Sequence, residues 1–205
     1  DAHVRDGDLV GYDARLVRKG WSGPGYDASG WLPARLVPGP GGELHSQQLP
    51  PVRVHESLKP ARLSQPAPGV VVYDMGRSLS GWAQVRVSGP AGTTLTLRYA
   101  ERLKPNGEID AGHISCFVKS GAFQTDTYIL NGEAVEICEP RFTYHGFRYV
   151  QVTGLPGTPS LEHLRAQVAH TDLGRRGEFS CSSRLLNEIQ ALTLQATVSN
   201  YHHIP

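Results

Sequence analysis

The stretch that most limits what this chain can become is residues 70–103, "VVVYDMGRSLSGWAQVRVSGPAGTTLTLRYAERL". Ala83, Val85 and Val87 alternate with Gln84, Arg86 and Ser88, a period of two that puts one face of a strand in a core and the other in solvent. "VVVYDM" (70–75), "GWAQVRVSG" (81–89) and "TTLTLRYAERL" (93–103) therefore read as strands, the last two joined by "GPAG", a turn built from turn-forming residues. After a long polar loop (104–122), "TDTYILNG" (125–132) and "HLRAQVAHT" (163–171) continue the pattern. With 23 glycines and 15 prolines in 205 residues, turns are frequent, and a β-sandwich or jelly roll is expected.

A second stretch, "EPRFTYHGFRYVQVTG" (139–154), poses a choice between a ligand platform and a core strand. Aromatic and β-branched residues bounded by Pro140 and Gly154 read as strand. Phe142 and Tyr144 are in one alternation phase and Phe147 and Tyr149 in the other, with the slip at His145-Gly146. A bulge at Gly146 would bring all four rings to one side, and four rings on one face are expected to form a core wall. Near the end, Leu185, Ile189 and Leu192 recur at helical spacing, with Ser182 or Ser183 as N-cap. The expected architecture is mainly β, one or more β-sandwich or jelly-roll accessory modules followed by a single C-terminal helix. Residues 58–69, "LKPARLSQPAPG", read as a Pro-rich extended linker.

Twenty Lys and Arg balance nineteen Asp and Glu for a net charge of +1, without a basic block, so nucleic acid and acidic membrane surfaces are not favoured partners. The chain as given carries neither an apolar run long enough to span a bilayer nor a signal-peptide pattern. Cys116, Cys138 and Cys181 are widely separated and odd in number, which suits buried, inert thiols better than disulfides or zinc. Asp6, Asp8 and Asp13 read as turn residues before metal ligands, and no cofactor or metal site is expected. Glu101, Glu108, Asp110 and Asp126 read as solvated acids around the long loop. Trp82, inside an alternating strand, reads as a core plug, whereas Trp21 and Trp31, among Asp and Gly in a loop, are open to core packing or to stacking on a sugar.

Taken in order, "YDARLVRKGW", "LPPVRVHESLKP", the 70–103 stretch, "DTYILNG", "EPRFTYHGFRYVQVTG", "GEFSCSSRLLNEI" and "SNYHHIP" resemble the accessory β-domains of bacterial α-L-rhamnosidases of glycoside hydrolase family 78, running into the first helix of the catalytic domain. The resemblance covers essentially the whole chain. It implies the C-terminal part of an N-terminal, rhamnose-binding-module-like β-sandwich at 1–57, a linker at 58–69, a central β-sandwich at 70–173, and the start of an (α/α)₆ catalytic barrel at 174–205. It also implies a parent enzyme that hydrolyses terminal α-L-rhamnose with inversion. The acid and base that inversion requires lie, in that family, beyond the position of "NYHHIP", so this chain is expected to be inactive alone, with the barrel as packing partner and a rhamnose-containing glycoside as the parent's substrate. Tyr12, Asp13, Arg15 and Trp21 fall in the segment resembling the sugar-binding module and supply a ring, an acceptor and a cationic donor within ten residues. A free-standing carbohydrate-binding module or a structural spacer are the other classes the residues allow.

Overall fold

The computed structural model describes residues 3–6, 9–114 and 122–202. Strands β1 (His3–Asp6) and β2 (Leu9–Asp13) form a hairpin. Asp13 then caps a short 3₁₀ turn, Ala14–Leu16, and residues 17–51 run through turns without a regular element. There follow β3 (Val52–Leu58), β4 (Arg62–Ala67), β5 (Val70–Val87) and β6 (Thr94–Ala100). A small ribbon of β7 (Arg102–Leu103) and β8 (Ile109–Asp110) precedes β9 (Thr125–Ile129), β10 (Glu136–Cys138), β11 (His145–Thr153) and β12 (Leu164–Thr171). The helix α1 (Arg184–Asn200) closes the described chain, its N-cap Ser183 accepting from the Leu186 amide. It is not long and apolar enough to cross a membrane.

Ten strands make one sheet in the order β1-β2-β9-β6-β11-β5-β12-β3, with β4 and β10 also paired to β5. The sandwich expected from the alternation is thus a single sheet curled on itself. Strand β5, 18 residues long, is its spine: the first half pairs with β4 and β11, the second with β12 and β10. Ala83, Val85 and Val87 are buried as the alternation requires, together with Tyr73, Leu79, Leu95, Leu97, Tyr99, Phe147, Val150, Val152 and Leu164. Each such aliphatic or aromatic side chain contributes roughly 1.5–3 kcal/mol by leaving water. Half of the Pro-rich stretch at 58–69 is β4, which turns through Pro68-Gly69 and pairs antiparallel with β5.

The expected bulge at Gly146 is not there. His145 pairs with Gly81 and Gly146 with Ser80 in regular register. The irregularity lies one step on, where Phe147 faces Leu79 but Tyr149 faces Asp74, so that Arg148 alone stands opposite Met75–Ser78 of β5. The extra residues belong to β5, and Gly76, at φ +80, makes the turn there. Its amide donates to Asp74 Oδ1 at 2.8 Å. The four rings consequently do not share a face: Phe147 is fully buried and Tyr149 is half-buried with the Arg148 guanidinium over it, whereas Phe142 and Tyr144 precede the strand and are exposed.

Cys138 is buried as expected, but Cys181 is exposed, because it precedes α1 on a segment with no sheet above it; Cys116 lies outside the described residues. The loop acids also divide. Glu101 is exposed and Asp110 caps its own turn through the Gly112 amide, but Asp126 is only 7% exposed. It lies in β9, where the sheet places it beneath Tyr99 and His145. Tyr99 Oη donates to Asp126 Oδ2 at 2.6 Å, His145 Nε2 is 3.0 Å from Oδ1, and the Tyr99 and His145 rings stack at 4.1 Å. A buried carboxylate is tolerated when its lone pairs are satisfied in this way.

Candidate functional site

A concavity opens on the face of β5 that carries Trp82. Its volume is about 940 Å³, and Tyr12, Trp82, Tyr128, Glu139, Arg141, Phe142, Thr143, Tyr144 and His202 are among its walls. The site is assembled from distant segments. Trp82 alternates with the buried Ala83 and so points away from the core. Its indole Nε1–H donates to Glu139 Oε1 at 2.7 Å, and Gln84, the next residue on that face, donates to Oε2 at 2.8 Å. One carboxylate at the end of β10 thereby fixes two neighbouring side chains of β5. Trp82 is not the core plug expected: the outer face of β5 is covered here by the 139–144 segment instead of meeting solvent or core.

From the other side, Tyr144 stacks flat on His202 (4.0 Å between centroids, 5° between planes), and His202 Nε2 donates to the Ala169 carbonyl at 3.1 Å. The two residues after α1 are thus tied back to β12, His202 through Ala169 and Tyr201 through its carbonyl, which accepts from the Thr171 amide at 2.9 Å. His203, beside it, lies outside the described residues. Tyr12 stacks on Tyr128 at 4.9 Å, a contact made possible by the parallel pairing of β2 with β9. Glu139 and Arg141 bring charges of opposite sign to the same lining. Arg141, among the described residues, makes no hydrogen bond or ion pair. A smaller hollow next to it shares Tyr12, Tyr128, Glu139 and Arg141 and reaches Asp126 and Cys138.

Of the four residues expected to contact sugar, Tyr12 lines this cleft. Asp13 is buried on the other side of β2 and is held by Arg15, whose backbone N, Nε and Nη2 reach its oxygens at 3.0, 2.9 and 2.7 Å. The hydrogen bonds from Arg15 keep the Asp13 carboxyl below its ordinary 3.8, against the opposing effect of burial. Trp21 is 59% exposed and belongs to a separate group, tilted against Trp31 at 6.4 Å, with Tyr26 and Arg18 also against Trp31. The structure pairs Asp13 with Arg15, and keeps Trp21 out of the walls of the two hollows that Tyr12 lines. Trp82, Glu139, Arg141 and His202 were not legible as one group. The signal that could have found them is the polar-aromatic run 139–145 itself, part of the stretch 139–154 that is expected above to be a core strand instead of a ligand platform.

This fold and its matches define a concanavalin-like β domain preceded by a segment that matches a second model. The model described as bacterial alpha-L-rhamnosidase concanavalin-like domain matches residues 64–170, and that described as alpha-L-rhamnosidase N-terminal domain matches residues 9–56. The chain belongs to the bacterial α-L-rhamnosidase family. It is 40% identical over 195 residues to an alpha-L-rhamnosidase of Streptomyces avermitilis, covering 95% of this chain and 18% of that protein. It is 29% identical over 194 residues to one from Formosa agariphila, covering 95% and 20%. Among solved structures, the alpha-L-rhamnosidase from Dictyoglumus thermophilum superposes with a TM-score of 0.90 at 40% identity, over 96% of this chain and 22% of that one. The Streptomyces avermitilis enzyme complexed with L-rhamnose superposes with a TM-score of 0.88 at 38% identity, over 99% and 20%. The chain spans about a fifth of the length of these relatives.

Proposed function

We propose that this chain is the non-catalytic β portion of an α-L-rhamnosidase that hydrolyses terminal α-L-rhamnose with inversion, and that it has no hydrolytic activity by itself. The observation that carries the reading is the pair of matches, 9–56 to an N-terminal domain and 64–170 to a concanavalin-like domain, with both solved relatives matched over only about a fifth of their length. In this reading 1–57 ends the first β-module, 58–69 joins it to the central sandwich of 70–173, and 174–205 begins the catalytic barrel. The exposed stripe of Leu185, Ile189 and Leu192 on α1 supports that last assignment, since a short amphipathic helix is stabilised chiefly by the surface it buries. Inversion needs a general acid and a general base about 6.5–9.5 Å apart with a water between them, and the reading assigns both to the barrel.

The expected sugar contacts at Tyr12, Asp13, Arg15 and Trp21 enter this reading with distinct parts. Tyr12 offers its ring to the cleft, Arg15 holds Asp13, and Trp21 keeps an exposed face. The test is the transcript read past the Pro205 codon. Helical repeats containing paired acidic residues are expected there; a stop codon would leave a free-standing β protein and overturn the reading.

A further inference from the structure

Phe142 occupies the left-handed region of backbone space at φ +61, and its side chain is 101% exposed. A bulky non-glycine residue is an outlier at positive φ, and such strain is retained where the surrounding structure imposes it, commonly at binding sites. The ring makes no contact with another described ring. The strained turn leaves this apolar ring on the lining of the same cleft as Trp82 and the unpaired Arg141.

We propose that the cleft between Phe142, Trp82 and Tyr144 is a binding site for one neutral pyranose ring, with Arg141 and Thr143 as donors to its hydroxyls. Four properties select that class. The lining combines aromatic rings with a few polar side chains, the two kinds of group that meet the C–H faces and the hydroxyl edge of a sugar. Glu139 and Arg141 carry opposite charges, so the lining as a whole favours neither an anion nor a cation. Glu139 already accepts from Trp82 and Gln84 but retains lone pairs for a further donor, since a carboxylate has about four such sites. The volume, about 940 Å³, lies within the range of small-molecule sites, roughly 300–1,000 Å³, and leaves space beyond a single ring. The choice of L-rhamnose as the first sugar to try rests on the rhamnosidase reading above; the site itself does not.

The full 205-residue chain, labelled with ¹⁵N, is titrated with L-rhamnose, D-glucose and D-mannose while the indole N–H signal of Trp82 is followed. A saturable shift of that signal by at least one of these sugars is expected. Phe142→Gly should weaken the binding roughly tenfold or more through loss of a stacking face, while unfolding at a temperature no lower than the parent because glycine accepts the backbone. Arg141→Gln should weaken it too, and Leu192→Glu on the exposed stripe of α1 should leave it unchanged. Saturation by glucose or mannose but not rhamnose supports the site and counts against the rhamnoside reading. No saturable shift with any of the three, or undiminished binding in Phe142→Gly, overturns the proposal.

Discussion

Arg148 holds Asp74 in a two-point ion pair, Nε to Oδ1 at 2.9 Å and Nη2 to Oδ2 at 3.1 Å, across the place where β5 and β11 lose register. Asp74 also accepts the Gly76 amide, so a single carboxylate ties the partner strand to the turn that absorbs the extra residues of β5. The hydrogen bond from Arg148 comes first among the causes that hold Asp74 below its ordinary 3.8. A lowered carboxylate adds stability above the unfolded value and loses it as pH falls through the folded one. Asp74→Asn is therefore expected to cost about 1–2 kcal/mol at neutral pH, discounted for the partial exposure of Arg148. Its unfolding free energy should also fall less steeply than the parent's below pH 4, a difference that urea melts across pH 2–7 would reveal.

Tyr99 makes the opposite pH prediction. Complete burial, reinforced by the adjacent Asp126 carboxylate, pushes its phenol well above the ordinary 10. A raised value stabilises below the unfolded pKa and is lost as pH climbs toward the folded one. Denaturant melts should show stability declining above about pH 10, and Tyr99→Phe should flatten that decline while costing about 1–2 kcal/mol at neutral pH through the lost bond to Asp126.

Two glycines on paired strands, Gly81 opposite His145 and Gly146 opposite Ser80, should respond in opposite ways. A Cβ on Gly81 would lie 1.9 Å from the Gln167 carbonyl oxygen, at φ +147, so Gly81→Ala is expected to cost more than about 3 kcal/mol. At Gly146 a Cβ meets nothing within 4 Å, and Gly146→Val should stay within about 0.5 kcal/mol in thermal or chemical melts.

The helix supplies a third contrast. Leu192 is 70% exposed on α1, and Leu185, Leu186 and Ile189 are exposed with it. Leu192→Glu should leave the stability of this chain unchanged within about 0.5 kcal/mol, and amide exchange across 184–194 should be much faster than in β5 or β11. The end at Tyr201 and His202 is expected to be the better protected part, because it bonds to Thr171 and Ala169 of β12.

Those contrasts show which parts of the molecule could be read in advance. Period-two alternation in 81–87 gives the strand and its buried face, because both depend on neighbours in the chain. The cap at Ser183 is local in the same sense. What covers the outer face of β5 depends on a segment more than fifty residues away, so Trp82 could not be told from a core residue. Asp126 looks like a loop acid until β6 and β11 place Tyr99 and His145 around it. The grouping of Tyr12, Asp13, Arg15 and Trp21 by closeness in sequence meets the same obstacle: neighbours on a strand face opposite sides, and Asp13 uses its oxygens on the turn that it caps. For the aromatic run, the phase slip at His145-Gly146 marks the start of β11, because Phe142 and Tyr144 precede the strand, while the irregular pairing lies further on, where β5 carries extra residues opposite Arg148.

The central claim, that this chain supplies β architecture to a rhamnosidase without performing the hydrolysis, is tested most directly by incubating the purified 205-residue protein with an aryl α-L-rhamnoside and measuring release of the aryl alcohol. The account predicts release indistinguishable from the buffer blank. Turnover that co-purifies with the chain and disappears on substitution of one of its own acidic residues would contradict it.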